Sequence, residues 1–151
     1  MKKSGFTFTE IIISAALFIL AVLPMIELNK GLLKTERQYN SIEHSRKNCE
    51  FLEKQIRGKG YKKLKNSIGR YNYEFKEGEK ILSLGNILNE AELIFPAEKN
   101  DKIEINIEIL GVISPDEKEN MILAEVVYLG KYKKFRTERI ITEYEEYYSK
   151  E

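Results

Sequence analysis

Side chains able to do chemistry are scarce in this 151-residue chain. It has one Cys (Cys49), one His (His44) and two Asp, Asp101 and Asp116. A lone Cys excludes an internal disulfide and any two- or four-cysteine zinc site. A lone His excludes a histidine triad and the His-Glu-x-x-His zinc helix. No Gly-x-Ser-x-Gly and no Ca²⁺ loop occur, and Gly58-Lys59-Gly60 lacks the rest of a phosphate-binding loop. No catalytic residue, metal or cofactor is expected, and the chain is read as not an enzyme. One residue stands out by position. Glu10 lies inside a dense apolar run. A lipid-facing carboxylate costs about 2.5–3.5 kcal/mol at a helix centre and less near its end, so Glu10 needs a partner.

The element that positions Glu10 is the run itself. Residues 6–28 hold 17 apolar residues in 23 positions, and Ile11 to Ile26 are 16 residues without a charge. As a helix, the run is about 33 Å long, against a bilayer core of about 30 Å. Lys2 and Lys3 precede it, which places the N-terminus in the cytoplasm and the rest outside. A cleaved secretory signal would need small residues after the run, but Val22-Leu23-Pro24-Met25-Ile26-Glu27 follow Ala21. A lipoprotein signal would need a Cys there, and Cys49 is too distant. A plain membrane anchor fits the run but leaves Glu10 unexplained.

Lys2-Lys3-Ser4-Gly5-Phe6-Thr7-Phe8-Thr9-Glu10 resembles the processing site of type IV pilins and the related type II secretion pseudopilins. The resemblance is close over about the first 30 residues. It implies a leader, residues 1–5, removed by a prepilin peptidase between Gly5 and Phe6, with N-methylation of Phe6. It also implies that the apolar helix stays in the mature protein and that Glu10 meets the terminal amine of a neighbouring subunit. An opposite charge in a low-dielectric core offsets part of the desolvation cost, and an acid in the first turn suits the helix dipole. Gly5, without a Cβ, lets the scissile backbone extend into a cleft. Two positions depart from the family. Thr9 stands where an apolar residue is usual, and Glu27 stands where many pilins have a helix-breaking Pro, about one turn later than Pro24.

Further along, Ser14, Ala15, Ala16 and Ala21 permit close helix approach, or simply reflect membrane-helix composition. Pro24 removes the hydrogen bond to the Leu20 carbonyl, and Gly31 follows. A kink, or local melting between residues 20 and 31, is expected.

From Leu28, apolar residues at Leu32, Tyr39, Ile42, Cys49, Leu52 and Ile56 trace one helical stripe, so residues 29–57 read as an amphipathic stem helix ended by Gly58-Lys59-Gly60. The stripe should pack on a sheet. Cys49 reads as buried core, with an intermolecular disulfide as a minor option, and His44 as exposed. Residues 58–151 read as a β-rich head. Tyr71–Phe75, Ile81–Leu84, Lys102–Ile109, Met121–Leu129 and Tyr132–Thr142 are predicted strands. Residues 86–95 are either a short helix or extended, 114–120 are a polar loop, and Tyr144, Tyr147 and Tyr148 lie in an acidic tail. The fold class is α+β: a long N-terminal helix packed on an antiparallel β-meander, which also resembles the pilin fold.

The net charge of +1 hides a partition. Residues 29–70 have 12 basic and 4 acidic groups, net +8, whereas residues 71–151 have 11 basic and 18 acidic, net −7. The densest basic stretch holds Arg57, Lys59, Lys62, Lys63 and Lys65. It is a DNA contact, a dock for a neighbour's acidic head, or a solvated face. The function implied is that of a structural subunit, a minor pilin or pseudopilin, in a type IV pilus, type II secretion or competence filament. Its partners would be other subunits, the prepilin peptidase, a platform protein, an assembly ATPase and the inner membrane. The competing reading is a single-pass anchored extracytoplasmic binding domain that does not polymerise.

Overall fold

The computed structural model describes residues 7–85, 87–110 and 121–142. The processing pair Gly5 and Phe6, the Pro115 loop and the tail tyrosines lie outside the described residues. The elements are α1 (Phe8–Arg57), α2 (Tyr61–Lys65), β1 (Gly69–Glu74), β2 (Ile81–Leu84), β3 (Leu88–Glu92), β4 (Lys102–Leu110), β5 (Met121–Leu129) and β6 (Lys134–Ile141). The chain divides into two compact units, residues 1–39 and 40–151.

In the first unit the backbone is helical from Phe8 onward, unbroken through Pro24 and Gly31. The local melting expected over residues 20–31 is not seen. Apolar flanks able to carry the helix on either side of the lost Leu20 bond account for this, since Leu, Ile, Met and Ala are adequate helix formers. The Thr35 hydroxyl donates to the Gly31 carbonyl at 3.1 Å, a back-bond that tends to bend a helix.

The second unit sets the carboxyl end of α1 against a four-stranded antiparallel sheet ordered β1-β4-β5-β6. Its β4-β5-β6 part is the expected meander, and β1 joins the far edge of β4 in the register Tyr71↔Ile105, Tyr73↔Ile103. Alternation sends Ile103, Ile105 and Ile107 of β4 and Ile122, Ala124, Val126 and Tyr128 of β5 inward. Glu104 and Glu108 face outward. Within the ambiguous 86–95 region Leu88–Glu92 is extended: β3 pairs with β2 in a separate ribbon, with a register shift beyond Leu82. β1 begins and ends slightly earlier than predicted, and β6 starts at Lys134 rather than Tyr132 because Gly130 to Lys133 form the turn, closed by Gly130 N–H to Lys133 carbonyl at 3.1 Å. The sequence signals missed α2. It follows a break at Gly60, whose φ of +75° favours glycine.

The stem stripe needs correction. Cys49, Leu52 and Ile56 are buried as expected, but Leu28, Leu32 and Tyr39 are 68%, 67% and 66% exposed. The buried face of α1 begins with Ser41 and Ser45 and continues through Asn48, Cys49, Leu52, Glu53 and Ile56. Periodicity marks a face, not its occupant, so the upstream apolar positions share the spacing without sharing the core. The small serines allow close approach. A Cβ on Gly130 would collide with the Ser45 hydroxyl.

Candidate functional site

The amino end of α1 is built by a reciprocal cap. Thr7 is the residue before the helix and Glu10 is its third residue. The Glu10 carboxylate accepts from the Thr7 backbone N–H at 2.8 Å and from the Thr7 hydroxyl at 2.9 Å. The Glu10 N–H approaches the Thr7 hydroxyl at 3.4 Å, and the Ile11 N–H donates to the Thr7 carbonyl at 3.2 Å. This is a Thr-x-x-Glu capping box, which satisfies helix N–H groups that have no intrahelical acceptor. The signal for it is present in the sequence, in Thr7-Phe8-Thr9-Glu10. Glu10 therefore has a partner within its own chain.

Beyond the cap, Phe8, Ile11, Leu17, Phe18, Leu20 and Met25 are exposed. Among the described residues α1 is the one helix long and apolar enough to cross a membrane, and none of its most apolar 18-residue window is buried. Association of such a helix with lipid or with other helices removes that surface from water, at about 25 cal/mol per Å².

The basic residues are brought together at the other end of α1. Arg57 is its last residue, Lys59 lies in the following turn, and Lys62, Lys63 and Lys65 are on α2. Tyr61 and Leu64 are buried and fix α2 to the core. The Lys65 ammonium lies 5.8 Å from the centre of the Tyr61 ring.

Two polar arrangements in the head had no sequence signal. The Asn48 side chain brackets the Phe95 backbone: its amide nitrogen donates to the Phe95 carbonyl at 3.0 Å, and its oxygen accepts from the Phe95 N–H at 3.0 Å. His44 stacks on the Phe95 ring, with centroids 4.0 Å apart and planes 8° apart, so it is half-buried rather than exposed. Asp101 accepts from the Tyr128 hydroxyl at 2.9 Å and from the Glu98 N–H at 2.9 Å. Burial pushes its carboxyl above the usual range, outweighing those hydrogen bonds. Cys49 is buried, near the Val126 carbonyl and the Thr137 hydroxyl, and burial raises its thiol pKa. That environment suits an inert core thiol.

Compared with models of known protein families, with curated proteins and with solved structures, the chain matches none of them.

Proposed function

We propose that this chain is a prepilin-like structural subunit, a minor pilin or pseudopilin, cut between Gly5 and Phe6 and assembled through its N-terminal helix into an extracytoplasmic filament. The observation that carries the reading is the pairing of a Gly5-Phe6 junction and one carboxylate, Glu10, with an exposed apolar helix of membrane-spanning length. The helix would hold the subunit in the inner membrane, N-terminus inward, before assembly. Its apolar surface would supply most of the cohesion and Glu10 the axial register. The prepilin peptidase, a platform protein, an assembly ATPase and fellow subunits are the partners of this reading.

The deciding experiment is mass spectrometry of the amino end, on protein from cells with an active prepilin peptidase. The expected chain starts at N-methyl-Phe6. An uncut chain starting at Met1 would sink the proposal.

The capping box favours a second reading. Because Thr7 already donates twice to one Glu10 oxygen, the carboxylate has a partner without a neighbouring subunit, and a single-pass anchored binding domain accommodates it. That reading expects uncut protein and no incorporation into filaments.

A further inference from the structure

Six cations, Lys54, Arg57, Lys59, Lys62, Lys63 and Lys65, fall within twelve residues that contain no acid. All but the half-buried Lys59 are exposed. Among the described residues none of the six joins an ion pair, whereas Arg46, Lys47, Lys102, Arg136 and Arg139 all do. Lys54 and Arg57 complement the negative end of the α1 dipole. That accounts for two cations and leaves four. These cations form a collar whose α2 part is anchored to the core by the buried Tyr61 and Leu64. A positive field of this kind, with no acid paired to it among the described residues, repels itself and attracts a polyanion.

The chemistry of the collar narrows the partner. Its one aromatic ring, Tyr61, is buried, so it offers no platform on which unpaired bases could stack. Five of its six cations are lysines, which act as point charges and suit carboxylates as well as phosphates. The complementary charge is present in the same sequence: residues 143–151 contain four Glu and one Lys. A patch that pairs with a different patch on the next copy makes a heterologous contact. Such contacts repeat into open arrays when the rotation does not close.

We propose that this collar docks the carboxylate-rich residues 143–151 of a second copy of the chain. The inference rests on the polymerising reading above and names a second contact that would add to the helix contact. It fixes which ends of neighbouring heads meet, and it weakens with salt, since the screening length falls from about 8 Å at physiological ionic strength to about 3 Å at 1 M.

The test uses full-length protein in detergent micelles, mixed from ¹⁵N-labelled and unlabelled preparations and coupled with a zero-length carbodiimide. Amide links from Lys62 or Lys63 to Glu145 or Glu146 are expected in mixed-isotope pairs, fading at high salt. Lys62→Glu with Lys63→Glu should lower roughly tenfold the links that the remaining Lys59 and Lys65 make to Glu145 or Glu146, and Glu145→Lys with Glu146→Lys should do the same to links from Lys62 or Lys63 to the remaining Glu143 and Glu151, as like charges then face each other. Mixing the two variants should restore the coupling. Links confined to same-isotope species would assign the collar to the chain's own tail and overturn the proposal. So would coupling that ignores the reversals, or coupling absent in every mixture while duplex DNA is retained. The mass of the amino end, read in the same samples, separates the two ideas. A processed chain without mixed links removes the collar contact alone. An uncut chain with mixed links removes the filament reading.

Discussion

Asp101 and Glu10 are both carboxylates with hydrogen-bonded partners, yet their surroundings give them opposite roles. Asp101 is 3% exposed, and its Oδ1 is buried without a hydrogen-bond partner among the described residues. Its pKa in the fold is raised, by burial first. A raised folded value means that the neutral acid is favoured by folding. The contribution is therefore fully present below the ordinary carboxylate range and is lost as pH rises through the raised value. Asp101→Asn should flatten that dependence, because the amide can still accept from Tyr128 and Glu98. Asp101→Ala should cost about 1–3 kcal/mol at neutral pH by stranding the Tyr128 hydroxyl. Thermal melts of both variants across the acid range check this; an unchanged slope for Asp101→Asn would place the titration elsewhere.

Glu10 calls for a finer substitution than alanine. Glutamine can keep a capping box but not the charge, whereas alanine removes both. If Glu10 sets register by charge, Glu10→Gln and Glu10→Ala should both lose incorporation into filaments while remaining in the membrane. If it is only a cap, Glu10→Gln should incorporate normally. Quantifying filament-associated protein against the membrane pool reads the difference.

At the scale of elements, α1 meets the turn between β5 and β6 at one close approach, Ser45 against Gly130. Gly130→Ala would drive its new Cβ into the Ser45 side chain, with an expected loss of about 1–3 kcal/mol. Ser45→Gly in the same chain should recover part of it, since the two nearest obstructing atoms belong to Ser45 while the Lys133 carbonyl stays at 3.2 Å and a helical glycine costs about 1 kcal/mol. A double-mutant cycle in denaturant measures the coupling, and additive losses would show that the two residues do not meet. Much of the sheet was legible because strict alternation, as in Ile103-Glu104-Ile105-Asn106-Ile107, has one geometric meaning. The helix stop at Gly58-Lys59-Gly60 was equally plain. The face of α1 was not, because Ser41, Ser45 and Asn48 are polar yet buried, and hydropathy spacing passes over residues chosen for size or for a hydrogen bond. Nor was the Asn48–Phe95 bracket, whose partners are 47 positions apart. Glu10 was legible as unusual, but a Thr-x-x-Glu spacing is common enough that its capping partner, Thr7, does not stand out until the helix start is fixed.

For the whole molecule, sequence periodicity described one long helix of two characters, and the fold divides at Tyr39, where side chains begin to be covered. The exposed apolar stretch of the first unit should keep the full-length protein in the membrane fraction through a high-pH wash, with detergent required for release. Recovery in the wash would count against a spanning helix. The head owes its order to a core shared among α1, α2 and the sheet, in which Leu52, Ile56 and Leu64 meet Ile105, Ile107 and Val126 within one cluster. Truncating Leu52 to Ala should therefore destabilise the whole unit by about 2–5 kcal/mol, seen as one cooperative shift in a denaturant melt.

The graded face of α1 also has a mechanical meaning. Its first buried contacts are the small side chains of Ser41 and Ser45, and the larger Leu52 and Ile56 come last. A load applied at the amino end of this segment would reach the weakly held serines first, then the two Asn48 hydrogen bonds, and only then the apolar grip. Peeling should thus proceed in steps of rising resistance. Single-molecule pulling from residue 40 should show an early, low-force extension that Asn48→Ala lengthens. A single all-or-none rupture, unchanged in that variant, would mean that the face yields as one piece.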